Sequence, residues 1–172
     1  MKTLIAAMLC TTVGSFLSMN ASAATVDHED IVNAAGACVA AFSDQVVRNR
    51  PTGVRNTGTS AIYVTCSVPG PYFGQQNYYA SIRAGNFGTG TQSLNCNFQP
   101  GWTNDVSNTT SQGSFPGSAS LPASTVQWLV FQSADYPAVS ASGWYNINFT
   151  CLLQPNMELQ YIAYHYYEDV GT

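Results

Sequence analysis

Strict alternation of apolar and polar residues marks most of the chain after residue 37. In the segment 61–68, Ile62, Val64, Cys66 and Val68 share one face, and polar or aromatic residues separate them. The same period of two recurs in the segments 78–84, 93–98, 143–153 and 159–167. Because successive side chains of a strand point to opposite faces, each segment predicts a β-strand with one face turned to a core.

The segment 125–132 departs from this alternation, because Val126 and 128–131 make it almost continuously apolar. Such a run is typical of a central strand that is covered on both faces, and it places Trp128 in the core. The segments 37–42 and 54–57 predict two shorter strands. The polar stretch from 100 to about 122, rich in Ser, Thr, Asn and Gly, predicts a long loop.

No segment after residue 23 keeps apolar residues at helical spacing over three turns. Only 29–41 could hold a single helical turn. Short strands separated by Gly and Pro therefore predict an all-β fold, an antiparallel β-sandwich or jelly roll of about seven to eight strands. We expect one such domain over residues 37–169. Residues 24–36 are expected to form an acidic N-terminal segment with a mobile end.

The first 23 residues have the three parts of a signal peptide. Lys2 provides the positive charge, residues 4–17 are mostly apolar, and Ala21-Ser22-Ala23 fits the A-x-A pattern of a cleavage site. The apolar run is too short and too broken by polar residues to cross a bilayer. We therefore predict cleavage near Ala23-Ala24, a secreted or periplasmic protein and no membrane span.

Cys38, Cys66, Cys96 and Cys151 remain after this cleavage. An even number of cysteines in an exported chain predicts two disulfides, for which three pairings are possible. Cys96 and Cys151 lie in the middle of strands with similar apolar flanks, so we expect them to pair and to leave Cys38 for Cys66. The spacing contains no C-x-x-C motif and therefore does not favour zinc.

The cysteine segments also carry a family resemblance. It rests on the segments 36–38, Gly53 to Asn56 and 60–66, on the later cysteines in 93–96 and 145–153, and on a closing strand that ends at Glu168. In these segments the chain resembles a group of uncharacterised exported bacterial proteins with four cysteines. Two departures are visible, since Ser67-Val68 separates Cys66 from its proline and Pro155 comes two residues late. The resemblance implies an exported β-rich fold with this cysteine frame, and it implies no activity.

The charge balance narrows the range of partners. Without residues 1–23 the chain has four arginines, no lysine and nine acidic residues, a net charge of −5 (4 − 9). Binding to nucleic acid or to anionic lipid needs clustered basic residues, so the sequence favours neither partner.

The sequence contains few residues for catalysis. A hydrolase would need His165 as its base, oriented by Glu168 or Asp169, but no G-x-S-x-G motif marks a serine nucleophile. The acidic residues near the two termini, 27–30 and 168–169, could approach one another and bind calcium, but we expect frayed, solvated ends. Other carboxylates that a glycosidase could use, such as Glu158, are expected in solvated turns. We therefore expect no cofactor and favour a role without catalysis.

Aromatic residues are the most suggestive feature for function. We expect Trp102, Trp144, Tyr164 and Tyr166 to form a flat surface for sugar rings or for an extracellular protein, because Trp and Tyr provide rigid, amphipathic contact area. The same tyrosines could instead simply pack on the pleated sheet. The leading hypothesis is a secreted binding or structural protein that recognises glycan or protein. The alternatives are a protein inhibitor or envelope subunit that presents the loop 100–122, and a small hydrolase that uses His165.

Overall fold

The computed structural model describes residues 24–70, 76–100, 113–132 and 146–170. Eleven strands and one short helix lie in these ranges, all named here in chain order: β1 (Thr25–Asn33), α1 (Ala34–Ala37), β2 (Cys38–Ala40), β3 (Arg48–Arg50), β4 (Gly53–Arg55), β5 (Ile62–Pro69), β6 (Gln76–Asn86), β7 (Gln92–Pro100), β8 (Phe115–Leu121), β9 (Thr125–Gln132), β10 (Asn146–Leu153) and β11 (Met157–Asp169).

The strands form two antiparallel sheets. The six-stranded sheet has the order β3-β4-β11-β6-β9, and β1 pairs with β11 beyond the end of β4. The five-stranded sheet has the order β2-β5-β10-β7-β8. The predicted fold class, a disulfide-braced antiparallel β-sandwich, is therefore confirmed. The described residues contain more strands than the predicted seven to eight because several short or weakly apolar ones were missed.

The apolar faces predicted from the alternation form the core between the sheets. Ile62, Val64, Cys66 and Val68 are buried, and the residues between them are exposed or half-buried. At the centre, three phenylalanine rings pack with centroid distances of 5.1–5.6 Å: Phe98, Phe131 and Phe149. Phe131 comes from the six-stranded sheet and the other two from the five-stranded sheet, so this cluster holds the two layers together.

Both disulfides lie inside the five-stranded sheet. Cys38 pairs with Cys66, and Cys96 with Cys151, as expected from the sequence. Each bond joins residues directly opposite one another on neighbouring strands, β2 to β5 and β7 to β10. The disulfides therefore fasten four of the five strands of this sheet laterally.

Two buried asparagines connect the sheets at the turns after β4 and β6. Asn56 accepts a hydrogen bond from the Gly58 N–H and donates to the carbonyls of Ser60 and Leu153, at distances of 2.9–3.0 Å. Asn86 does the same with Gly88, Gly90 and Leu121, at 2.7–2.9 Å. In each case the last carbonyl belongs to the opposite sheet. We call Asn56 and Asn86 the asparagine clamps.

The structure corrects the prediction for the N-terminal segment. All nine residues of β1 pair with β11, from Thr25 opposite Asp169 to Asn33 opposite Tyr161. The expectation of a frayed acidic end is therefore wrong. Sequence patterning missed this strand because its side chains are mostly exposed and four of the nine are acidic or histidine, and the pairing is carried by the backbone and by partners on β11. The one helical turn allowed for 29–41 is present as α1, where the Asn33 side chain caps the Ala35 N–H.

The predicted loop 100–122 contains a strand instead, β8, and its residues 101–112 lie outside the described ranges. The strand alternates in burial, with Leu121 buried and Ser118 and Ser120 exposed. Two of its four inward residues, Gly117 and Ala119, are small, which weakens the pattern in the sequence. Gly117 is one of them, because a Cβ there would lie 2.7 Å from the Phe131 ring.

The prediction that β9 is a central strand with Trp128 in the core is also wrong. β9 is the edge strand of the six-stranded sheet, and only one of its faces packs inward, through Leu129 and Phe131. Trp128 lies on the other face and is 42% exposed, between Val126 and Val130. Among the described residues, these apolar side chains therefore form an open surface at the sheet edge.

Candidate functional site

The outer face of the six-stranded sheet carries a row of three large side chains on neighbouring strands. Tyr161 on β11 is directly opposite Arg83 on β6, and Arg83 is directly opposite Trp128 on β9. Neighbouring strands lie about 4.8 Å apart, so the row extends over about 10 Å of surface. We call these three residues the Trp128 row.

Strand alternation on β6 and the pairing register of β11 turn Arg83 and Tyr161 to the outer face. On β6, Ala80, Ile82 and Ala84 are buried, so the alternation turns Arg83 to the outer face. On β11, an irregularity in the pairing between Leu159 and Tyr161 shifts the register. Leu159 therefore faces the core and Tyr161 lies beside Arg83 on the outer face.

Small side chains lie next to the Trp128 row. Ala163 on β11, Ser81 on β6 and Val130 on β9 form the next row of the same face, and the first two are almost fully buried under larger neighbours. The Ser81 hydroxyl donates to the Ala163 carbonyl at 3.3 Å. The side chains of this row are therefore smaller than those of the Trp128 row.

Arg83 differs from Arg55 in its electrostatic partners. Arg55 lies on the same face and donates to the buried carboxylate of Glu158 at 2.7 Å, while its guanidinium stacks 3.9 Å from the centroid of Phe87. The Arg83 guanidinium lies 5.9 Å from the centroid of Tyr161, and no described carboxylate lies within 4.0 Å of it. Its donors therefore remain available for a ligand that offers oxygen atoms.

Glu158 corrects the expectation of a solvated turn acid. It is fully buried on β11 and also accepts hydrogen bonds from Thr52 at 2.8 Å and Gln160 at 3.4 Å. These hydrogen bonds give the Glu158 carboxylate a structural role. Removing one partner of a buried ion pair is strongly destabilising, because the other charge is left unpaired. The Arg55–Glu158 pair therefore fixes β4 against β11.

His165 lies on the same outer face, two rows from the Trp128 row. It stacks on Tyr79 with a centroid distance of 5.1 Å, and its Nε2 lies 2.5 Å from a carboxylate oxygen of Asp27 on β1. The sequence suggested Glu168 or Asp169 as its acidic partner, and for Glu168 this is wrong, because Glu168 lies 3.0 Å from His28 instead. His165 thus helps to hold β1 on β11.

Tyr79 belongs to the same contact between β1 and the rest of the sheet. Its hydroxyl donates to Glu29 at 3.0 Å. Burial and this hydrogen bond raise the pKa of Tyr79 above its ordinary value. Together with the pair formed by His165 and Asp27, this contact gives the acidic residues of β1 structural partners.

Of the four aromatic residues predicted for binding, the structure describes two, Tyr164 and Tyr166, and neither lies on this face. Trp102 and Trp144 lie outside the described residues. Tyr164 is only 9% exposed and belongs to the core, and Tyr166 packs against the core and stacks on Tyr164 at 6.0 Å. Because Tyr164 and Tyr166 alternate with His165 along β11, they turn away from the outer face, so the expected platform does not include them.

The residues that the structure offers in their place were visible in the sequence only in part. The alternation of 78–84 places Arg83 opposite the apolar side chains, so its outward direction could be predicted. The position of Trp128 could not, because no local pattern shows that β9 lies at a sheet edge.

Two further properties concern the described ranges alone. No three His, Cys, Asp or Glu side chains lie close enough together there to ligate a metal ion. No helix in those ranges has the length and apolar character needed to cross a membrane.

Comparisons with known proteins add little beyond architecture. No protein-family model and no curated protein matches the chain. Solved structures with a similar arrangement include a carbohydrate-binding module, CBM36, in complex with calcium and xylotriose, with a TM-score of 0.43, 14% identity and coverage of 78% of this chain and 98% of that one. Another is the CBM35 from Cellvibrio japonicus Abf62, with a TM-score of 0.44, 13% identity and coverage of 80% and 92%. A third is a tryptic core variant of Bacillus thuringiensis Cry1Da, with a TM-score of 0.42, 13% identity and coverage of 83% of this chain and 23% of that one. At these scores the likeness is coarse, and no ligand follows from it.

Proposed function

We propose that this chain is an exported, non-catalytic β-sandwich protein that binds glycan through the Trp128 row. The observation that carries the proposal is the row itself: an exposed Trp, an arginine with no carboxylate partner among the described residues, and a tyrosine, side by side on three paired strands. The signal-peptide pattern supports export, and the disulfides fit an oxidising compartment.

The chemistry of the row matches that of a sugar. The aromatic faces of Trp128 and Tyr161 offer apolar, rigid area on which the C–H face of a pyranose can pack. Arg83 lies between them and presents several N–H donors to hydroxyl, ring or carboxylate oxygens. Because the three side chains stand on paired strands, little backbone ordering is needed when they bind.

A protein partner is the main competing occupant, because Val126 and Val130 extend the apolar surface along the edge strand. Interfaces with proteins are also enriched in Trp, Tyr and Arg. Arg83, which has no carboxylate partner in the described ranges, favours a ligand that is rich in oxygen atoms over an apolar protein surface. Binding to purified polysaccharides distinguishes a glycan ligand from a protein partner.

Affinity electrophoresis of the mature protein through gels that contain single polysaccharides tests the proposal. We expect retardation by at least one of them, and we expect Trp128→Ala to weaken binding by about 30-fold, the size typical of a central aromatic contact. Trp128→Phe keeps an aromatic face and should retain most of the affinity. Val46→Ala removes another exposed apolar side chain, 79% exposed, and should bind like the wild type.

Retardation that is equal for the wild type and Trp128→Ala would refute the assignment of the site. Trp102→Ala and Trp144→Ala belong in the same series. A loss of binding in these variants alone would restore the original prediction of a platform built from them.

A further inference from the structure

The five-stranded sheet contains no charged residue in any of its strands. Asp, Glu, Lys, Arg and His are all absent from Cys38–Ala40, Ile62–Pro69, Gln92–Pro100, Phe115–Leu121 and Asn146–Leu153. The strands of the six-stranded sheet, in contrast, carry charges on β1, β3, β4, β6 and β11. The two outer faces of the sandwich therefore differ sharply in electrostatics.

The uncharged outer face is concave. A groove of about 450 Å³ crosses β5, β10, β7 and β8 and is lined by Tyr63, Asn95, Asn97, Ser118, Thr150 and Leu152, with Pro116 and the backbone at Cys96 and Gly117. Four strands span about 14 Å, which is long enough for a short oligosaccharide. Pockets are few on a protein surface, so a groove of this size on a sheet face is a candidate site.

Three polar side chains of the groove are not used by the fold in the part of the chain that the structure describes. The structure records no side-chain hydrogen bond for Asn95, Asn97 or Ser118 among the described residues. All three are exposed, because the alternation of β7 and β8 turns their neighbours inward. Amide and hydroxyl groups can both donate and accept, which matches the hydroxyl groups of a neutral sugar.

One end of the groove has an aromatic wall. Tyr63 is 43% exposed, and Phe42 packs against its ring edge-on at a centroid distance of 6.0 Å. The Tyr63 N–H donates to the side chain of Gln45 at 3.0 Å, and its carbonyl accepts from the Ala41 N–H at 2.9 Å. Phe42 therefore supports the Tyr63 ring from the side, and Tyr63 lines the groove at the β5 end.

The floor of the groove is rigid. The disulfide between Cys96 and Cys151 joins β7 to β10 directly beneath it. Pro116 on the edge strand β8 has no N–H to offer to a further strand, which disfavours an extended peptide as the occupant. A charged ligand would find no counter-charge on these strands.

We propose that this groove is a second binding site, specific for a neutral oligosaccharide, on the face opposite the Trp128 row. Tyr63 stacks on a sugar ring at one end, and Asn95, Asn97 and Ser118 hydrogen-bond to hydroxyl groups along β7 and β8. Since no charge takes part, binding here is insensitive to ionic strength. The site does not depend on the Trp128 row.

The test is titration of the isotope-labelled mature protein with neutral hexasaccharides of glucose, xylose and mannose, followed by heteronuclear NMR and calorimetry. We expect at least one sugar to shift the side-chain amide signals of Asn95 and Asn97. Its dissociation constant should rise about tenfold in Tyr63→Ala and about fivefold in Asn97→Ala. Ser67→Ala, on the same outer face outside the groove, is the matched control and should bind like the wild type.

The outcomes separate the two sites. Loss of binding in Tyr63→Ala with full binding in Trp128→Ala supports the groove even if the Trp128 row binds nothing. Loss in Trp128→Ala with full binding in Tyr63→Ala and Asn97→Ala refutes the groove and leaves the first proposal standing. Unchanged amide signals with every hexasaccharide also refute it, as does affinity that falls steeply with added salt.

Discussion

The asparagine clamps give the sharpest prediction for stability. Replacing Asn56 by Ala removes three hydrogen bonds at a position that is 0% exposed, and it leaves the carbonyl of Leu153 without this donor inside the protein. A net value of about 1 kcal/mol for each hydrogen bond gives a loss of about 3 kcal/mol. A chain of 149 residues, the length left by the predicted cleavage (172 − 23), should then melt about 6–12 °C lower.

Guanidinium unfolding and calorimetry of the protein with its disulfides intact measure this loss. Asn97→Ala is the matched control, since this asparagine is exposed and has no recorded side-chain hydrogen bond in the described chain. It should change the free energy of unfolding by less than about 0.5 kcal/mol. If Asn56→Ala were as stable as Asn97→Ala, the role assigned to the clamps would be wrong.

Three further predictions concern the packing, the cross-links and the response to alkali. Gly117→Ala should destabilise the fold by about 1–3 kcal/mol because its Cβ would meet the Phe131 ring at 2.7 Å, whereas Gly90→Ala, with no atom within 4 Å, should not; denaturant unfolding compares them. Reduction of the two disulfides, which close loops of 28 and 55 residues, should cost at most about 3.6 and 4.2 kcal/mol on the chain-entropy estimate, measured as a lower denaturation midpoint with reductant. Burial, with the hydrogen bond to Asp30, raises the pKa of Tyr164 to about 12. The tyrosine therefore ionises first in the unfolded chain, and the free energy of unfolding should fall as the pH rises from 10 to about 12. An absorbance titration of Tyr164→Phe should lack this late ionisation.

The alternation of side chains predicted the core strands correctly for a physical reason. In β5 and β10 one face packs on the opposite sheet and the other meets solvent, so the burial pattern follows the sequence residue by residue. The disulfide pairing followed from the same pattern, because Cys96 and Cys151 occupy equivalent inward positions on strands that turned out to be neighbours.

The elements that were missed owe their structure to contacts between distant parts of the chain. The sequence of β1 resembles a solvated acidic tail, but in the fold β1 pairs with the backbone of β11 and its acidic side chains contact His165 on β11 and Tyr79 on β6. Trp128 looks like a core residue until the sheet order shows that β9 has only one covered face. Local sequence shows how apolar a strand is, but its neighbours decide how many of its faces are covered.

The same limit applies to the candidate site. Sequence reasoning chose aromatic residues as the binding group and chose Tyr164 and Tyr166, which lie on the inward face of the strand that carries Tyr161. Whether a tyrosine of β11 faces outward depends on the register shift after Leu159. No local pattern predicts such a shift, so the Trp128 row could be assembled only from the pairing of three strands.

The indole N–H signals of the three tryptophans provide the most direct measurement of the central claim. Each can be assigned with a Trp→Phe variant and followed by NMR while a polysaccharide that retards the protein is added. The account predicts that the Trp128 signal shifts and saturates at the affinity seen in the gels. A Trp128 signal that stays unchanged while the protein binds would contradict it.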